Sequence, residues 1–141
     1  MLLSFKGVQG SVDGAQLRMQ MSNDGGSSWI TTGYTAGMTY TQYNSITNNN
    51  INSTTAFVLS GTIDNSATTR LGAGDVNIYL TSSNDMYISG TVCYLNNTGP
   101  FLANGLICGR GGATGANAFR LIMDSGNIAT GRFYLYGYAE S

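Results

Sequence analysis

Leu17-Arg18-Met19-Gln20-Met21-Ser22-Asn23-Asp24-Gly25-Gly26-Ser27-Ser28-Trp29 is the stretch that decides the fold class. Leu17, Met19 and Met21 alternate with Arg18 and Gln20. A period of two gives one apolar and one polar face, as in a half-buried antiparallel strand. The run then stops at Asn23-Asp24-Gly25-Gly26, where Asp and Gly tolerate the positive φ of a tight turn, so a hairpin is expected, with Trp29 and Ile30 resuming the chain.

The same period recurs on either side. Leu3, Phe5 and Val8 open a first strand, ended by the turn Gly10 to Gly14, and a Tyr-rich stretch runs from Tyr34 to Tyr43. Further strands are expected at Ala56 to Leu59, Val76 to Leu80, Tyr87 to Leu95, Leu106 to Cys108, Phe119 to Asp124 and Arg132 to Tyr138. Turns are expected at Asp64-Asn65-Ser66, Gly72-Ala73-Gly74-Asp75, Ser82 to Asp85 and Asn96 to Pro100. The polar run Thr47 to Thr55 and the glycine-rich Gly109 to Gly115 read as exposed loops. No segment offers three turns of helical periodicity. About nine short antiparallel strands in 141 residues predict a single all-β domain, residues 1–141, a β-sandwich of jelly-roll type.

Composition narrows the chemistry. Only 9% of residues are charged and the net charge is −1, against about 25% charged in ordinary domains. Six scattered cations give no electrostatic grip on nucleic acid. No run reaches the roughly 20 apolar residues of a membrane helix. Histidine is absent, which removes the commonest general base and zinc ligand. The aspartates fall mostly in turns, where Asp caps its own backbone. Asp13, Asp24 and Asp75 are oxygen ligands of the type calcium takes, yet no loop repeats EF-hand spacing. Gly109-Arg110-Gly111-Gly112-Ala113-Thr114-Gly115 lacks the lysine and following helix of a phosphate loop. No catalytic residue, metal or cofactor is therefore expected. Cys93 and Cys108 read as buried free thiols, with pairing undecided by sequence.

The last strand has a different signature. Tyr134, Tyr136 and Tyr138 alternate with Phe133, Leu135 and Gly137, so both faces are apolar or aromatic and both need cover. One face belongs to the core. The tyrosine row then calls for another subunit, a loop, or a sugar stacked on the rings. Tyr134, Tyr136 and Tyr138 are the expected interface; Trp29 and Tyr136 are the candidate glycan contacts.

Two resemblances follow from these residues. Ser22, Asp24, Gly26 and Trp29 match the S-x-D-x-G-x-x-W pattern of the Asp-box hairpin of sialidases and other β-proteins. Asp24 is expected to accept turn amides, Gly25 and Gly26 to take positive φ, and Trp29 to fold back. One box in a chain too short for a propeller implies a structural hairpin rather than an enzyme. Leu17 to Trp29 and the ending Arg120-Leu121-Ile122…Ser125-Gly126-Asn127-Ile128…Leu135-Tyr136-Gly137 also resemble a β-sandwich domain of tailed-bacteriophage virion proteins. That family has an S-G-N-I-x-S-G turn and a last strand ending L-Y-G; Thr130 stands where Ser is usual. The resemblance implies a tail-fibre, head-appendage or capsid-decoration module on the virion surface, assembled in the host bacterial cytoplasm. It also implies a homo-oligomer, most often a trimer, that contacts other virion proteins. A receptor-binding adhesin for host glycans is the alternative. Because Met1 opens almost directly on the first shared strand, a stand-alone decoration protein, a fragment and a distal module all remain open.

Overall fold

A computed structural model describes residues 1–43, 48–66, 72–81, 85–98, 101–111 and 115–138. Thr47, Arg70, Pro100 and the expected turn residues 82–84 and 112–114 lie outside them. Ten strands are formed among the described residues: β1 (Leu2–Gly10), β2 (Ala15–Ser22), β3 (Thr35–Gln42), β4 (Asn49–Ser53), β5 (Phe57–Ile63), β6 (Gly72–Leu80), β7 (Met86–Asn96), β8 (Phe101–Arg110), β9 (Ala118–Met123) and β10 (Ile128–Tyr136). Every pairing is antiparallel. The all-β expectation holds, with one strand more than anticipated. No helix long and apolar enough to cross a membrane occurs among the described residues.

The pairs β1·β10, β2·β9 and β3·β8 are nested, as in a ribbon rolled on itself. One run of strands, β10-β1-β6-β7-β8-β3-β4, forms a broad layer; β5-β2-β9 forms a narrow one. They are not separate sheets. β6 runs out at Gly72, opposite Tyr94, and β5 takes over the same edge of β7 through the Ile63↔Asn96 pair. Two backbone bonds, Asp64 N–H to Leu95 C=O and Asn97 N–H to Thr62 C=O, secure that corner. The sandwich expected from the sequence is thus one curled sheet.

The alternation that predicted β2 sends Leu17, Met19 and Met21 inward, where they join Phe5, Phe57, Val76, Ile78, Ile88, Tyr94 and Ile107 in one buried cluster. Burying each such side chain contributes about 1.5–3 kcal/mol. Opposite Leu17, β5 bulges, passing from Thr62 to Val58 while β2 advances from Gln16 to Arg18. Ser60 Oγ fills the gap, accepting from the Leu17 N–H at 2.8 Å.

Several expectations are corrected. The run Thr47 to Thr55 contains β4, an edge strand paired from Ala36↔Ser53 to Tyr40↔Asn49. Its asparagines are poor strand formers, but β3 supplies the backbone partners and Ile51 packs on the core. Gly72 to Asp75 is not a turn but the start of β6, and Gly109 and Arg110 belong to β8. Here glycine makes room for a phenylalanine ring: a Cβ on Gly74 would stand 2.7 Å from Cζ of Phe5, its partner on the neighbouring strand, and one on Gly109 2.8 Å from Phe57 Cδ1 of the facing layer. Trp29 and Ile30 do not resume a strand: among the described residues β2 pairs with β5 and β9 alone.

β9 and β10 are joined by the turn at Ser125-Gly126-Asn127, yet they do not pair and enter different layers. Gly126 has φ +68°, and the turn is pinned by two bonds to Ser11, whose N–H donates to Asn127 C=O and whose Oγ accepts from the Asn127 N–H. Away from this turn the strands leave an apolar cleft of about 420 Å³ lined by Met1, Leu80, Met86, Phe119 and Leu135.

Candidate functional site

The Asp24 turn is a closed hydrogen-bond knot. Ser22 Oγ donates to Asp24 Oδ1 at 2.6 Å and accepts from the N–H groups of Asp24 and Gly26. The Ser28 N–H donates to Asp24 Oδ1 and its hydroxyl to Oδ2 at 2.6 Å. Gly25 and Gly26 take φ of 72° and 93°, as a turn this tight requires. The loop returns through a single backbone bond, Ile30 N–H to Met21 C=O, rather than through a paired strand. Hydrogen bonds from Ser22 and Ser28 hold the Asp24 carboxyl far below the usual carboxylate range. Such a group is an acceptor that stays ionised, and both its oxygens face its own turn.

Two contributors to this knot are invisible locally. Asn117, just before β9, accepts from the Gly25 N–H at 2.9 Å, donates Nδ2–H to Asn23 C=O, and donates its own N–H to Ser22 C=O. Arg120 on β9 lies 4.7 Å from the centroid of Trp29 and donates twice to Gln20 Oε1. The guanidinium covers one face of the Trp29 ring.

The tyrosine row lies elsewhere. β10 pairs with β1 on one edge, and no strand pairs with its other edge among the described residues. The Tyr134 and Tyr136 rings lie 6.5 Å apart and 16° from parallel, with Lys6 Nζ 5.3 Å over Tyr134. Tyr138 donates its hydroxyl to Asn77 Oδ1 at 2.8 Å. The last strand, expected from Arg132 to Tyr138, spans Ile128–Tyr136; exposure rises from 37% at Tyr134 to 52% at Tyr136 and 62% at Tyr138, past its end. Tyr79 and Tyr87, paired across β6 and β7, share this outer face, with Arg110 over Tyr87. The opposite face departs from expectation. Phe133 packs on the core, but Leu135 is 51% exposed because the narrow layer does not reach it, although its β1 partner Leu3 is buried.

Trp29 and Tyr136 do not form one site. Arg120 and Gln20 lie on the outer face of the narrow layer, since Met19 and Met21 point inward, and Trp29 stacks there. Tyr136 stands outside the broad layer. The core separates the two rings.

Other candidates resolve as local structure. Asp13 accepts from the Asn65 N–H and from Asn97 Nδ2–H, and Asp75 sits within β6. No group of three potential metal ligands occurs among the described residues. Cys108 is exposed and Cys93 half-buried, correcting the expectation of buried thiols. Cys108 lies opposite Ser89, four residues from Cys93 along β7. At about 3.3 Å per residue that is roughly 13 Å, too far for a disulfide within the chain.

Comparison with protein-family models, curated proteins and solved structures finds no match for this chain.

Proposed function

We propose that this chain is a non-enzymatic structural module of a tailed-bacteriophage virion surface, a fibre, appendage or decoration domain that works as a homo-oligomer. The observation that carries the assembly reading is β10: a sheet edge with no partner strand among the described residues, bearing the exposed Tyr134 and Tyr136 outside, with Tyr138 just past its end, and an uncovered Leu135 inside. Contiguous apolar surface of this kind marks an interface. The virion address rests on the resemblance of Leu17–Trp29 and Arg120–Gly137 to phage domains. Light scattering on the full chain tests assembly: an oligomer is expected at micromolar concentration, and replacing Tyr134 and Tyr136 together by Ser should dissociate it without loss of fold. Immunogold labelling of purified phage particles tests the address, and unlabelled particles would remove it.

A second reading, a glycan-binding adhesin, is favoured by the five tyrosines on one outer face, interspersed with Asn77 and Ser89. Binding on a glycan array that Tyr136→Ala abolishes and Trp29→Ala leaves intact would support it.

A further inference from the structure

We infer that two copies of the chain join by antiparallel pairing of their β10 strands, with Tyr134 on the two-fold axis. This rests on the self-association reading above and adds to it the contact surface, the register and the symmetry.

The backbone argues first. On the β1 side, Arg132 to Tyr136 form an unbroken ladder with Lys6 to Leu2, whereas the register slips between Lys6 and Gln9. The regular, flat part of β10 is thus five residues centred on Tyr134, and its other edge has no strand partner among the described residues. Such an edge is a template for another strand. It lacks the usual protection: the stretch carries no proline, and its one charge, Arg132, points along the outer face rather than inward.

Side chains then favour a second copy as the occupant. Antiparallel pairing centred on Tyr134 is the register that matches the whole regular stretch with itself. It sets Arg132 opposite the partner's Tyr136, twice by symmetry. Arg132 is exposed and has no ion pair or hydrogen bond among the described residues, so the guanidinium is available to the ring. On the core side, Phe133 meets the partner's Leu135, covering the apolar surface that the narrow layer leaves open. Lys6 does not compete, being placed over Tyr134 of its own chain. An antiparallel edge pair is two-fold by construction, so it yields a dimer rather than the trimer that the phage resemblance implies.

The test uses the full chain with Cys93→Ser and Cys108→Ser, which removes the background thiols. In this form Tyr134→Cys should give a covalent dimer under mild oxidation, because directly opposed Cβ atoms lie about 4.5–5.5 Å apart. Arg132→Cys and Tyr136→Cys should stay monomeric on a non-reducing gel separately and cross-link when mixed. Arg132→Glu, at an exposed site that leaves the fold intact by circular dichroism, should weaken dimerisation roughly tenfold by light scattering. A stable oligomer that does not cross-link at position 134 would overturn this pairing while leaving self-association standing. A monomer at high micromolar concentration would overturn both.

Discussion

Tyr94 is fully buried, and its hydroxyl, lying against the Gly61 backbone, makes no well-formed hydrogen bond among the described residues. It projects from β7 onto Gly61 of β5, where a Cβ would collide with the hydroxyl and stand 2.6 Å from Cζ. A buried hydroxyl without a partner costs about 1–3 kcal/mol. Removing one oxygen forfeits a handful of dispersion contacts, roughly 0.5–1 kcal/mol in all. Tyr94→Phe is therefore expected to stabilise the fold, by about 0.5–2 kcal/mol. Urea unfolding should show a higher midpoint with unchanged slope, since the surface exposed on unfolding stays the same. Gly61→Ala should destabilise by about 1–3 kcal/mol through overpacking. In the Tyr94→Phe background it should cost about 1 kcal/mol less, because part of the collision has gone. Alkaline titration gives an independent readout. Burial, with Tyr40 close by, raises the Tyr94 phenol above its usual 10.0. The unfolded chain therefore loses this proton first, and stability present below pH 10 declines as pH rises through the folded value. The Phe variant should decline less steeply. A loss of more than about 1 kcal/mol in Tyr94→Phe, or strict additivity with Gly61→Ala, would refute this account of how the layers meet.

Three further outcomes are expected. The Asp24 carboxyl is depressed below its ordinary 3.8 by Ser22 and Ser28, so its contribution to stability is intact above about pH 4 and is lost as pH falls through the folded value; Asp24→Ala should lower the melting temperature at pH 7 and flatten its acid limb, and equal midpoints at pH 7 would exclude the knot as a stabiliser. Asn117→Ala removes two side-chain hydrogen bonds to the Asp24 turn and should cost about 1–2 kcal/mol, with faster amide exchange at Gly25; an unchanged exchange rate there would show that β9 does not hold the turn. Gly74→Val should cost more than about 2 kcal/mol, because its branched side chain has no room beside Phe5 and the Thr91 carbonyl, and a chemical melt at wild-type midpoint would contradict the strand placement of Gly72 to Asp75.

The all-β class and the Asp24 turn were readable from residues near one another in the chain. In β2 apolar side chains alternate with polar ones, so a five-residue stretch carries its own orientation. In the turn, Ser22, Asp24 and Ser28 satisfy one another within seven positions, and the geometry follows from which groups donate and accept. Features that depend on distant partners were not readable. β4 has one apolar side chain, Ile51, among asparagines and a serine, and is a strand only because β3 offers it a backbone edge. Gly74 and Gly109 resemble turn residues until Phe5 and Phe57 are placed against them. Asn117 and Arg120 join the Asp24 knot from about ninety residues away through the β2·β9 pairing. The same long-range pairing sets Trp29 and Tyr136 on opposite sides of the core, although the sequence names both as aromatic contacts. Hydrogen bonds and periodicity within a few residues are local energies that a sequence displays directly; which strand lies across the sheet, and which edge has no strand beside it, is decided by the burial of all ten strands together.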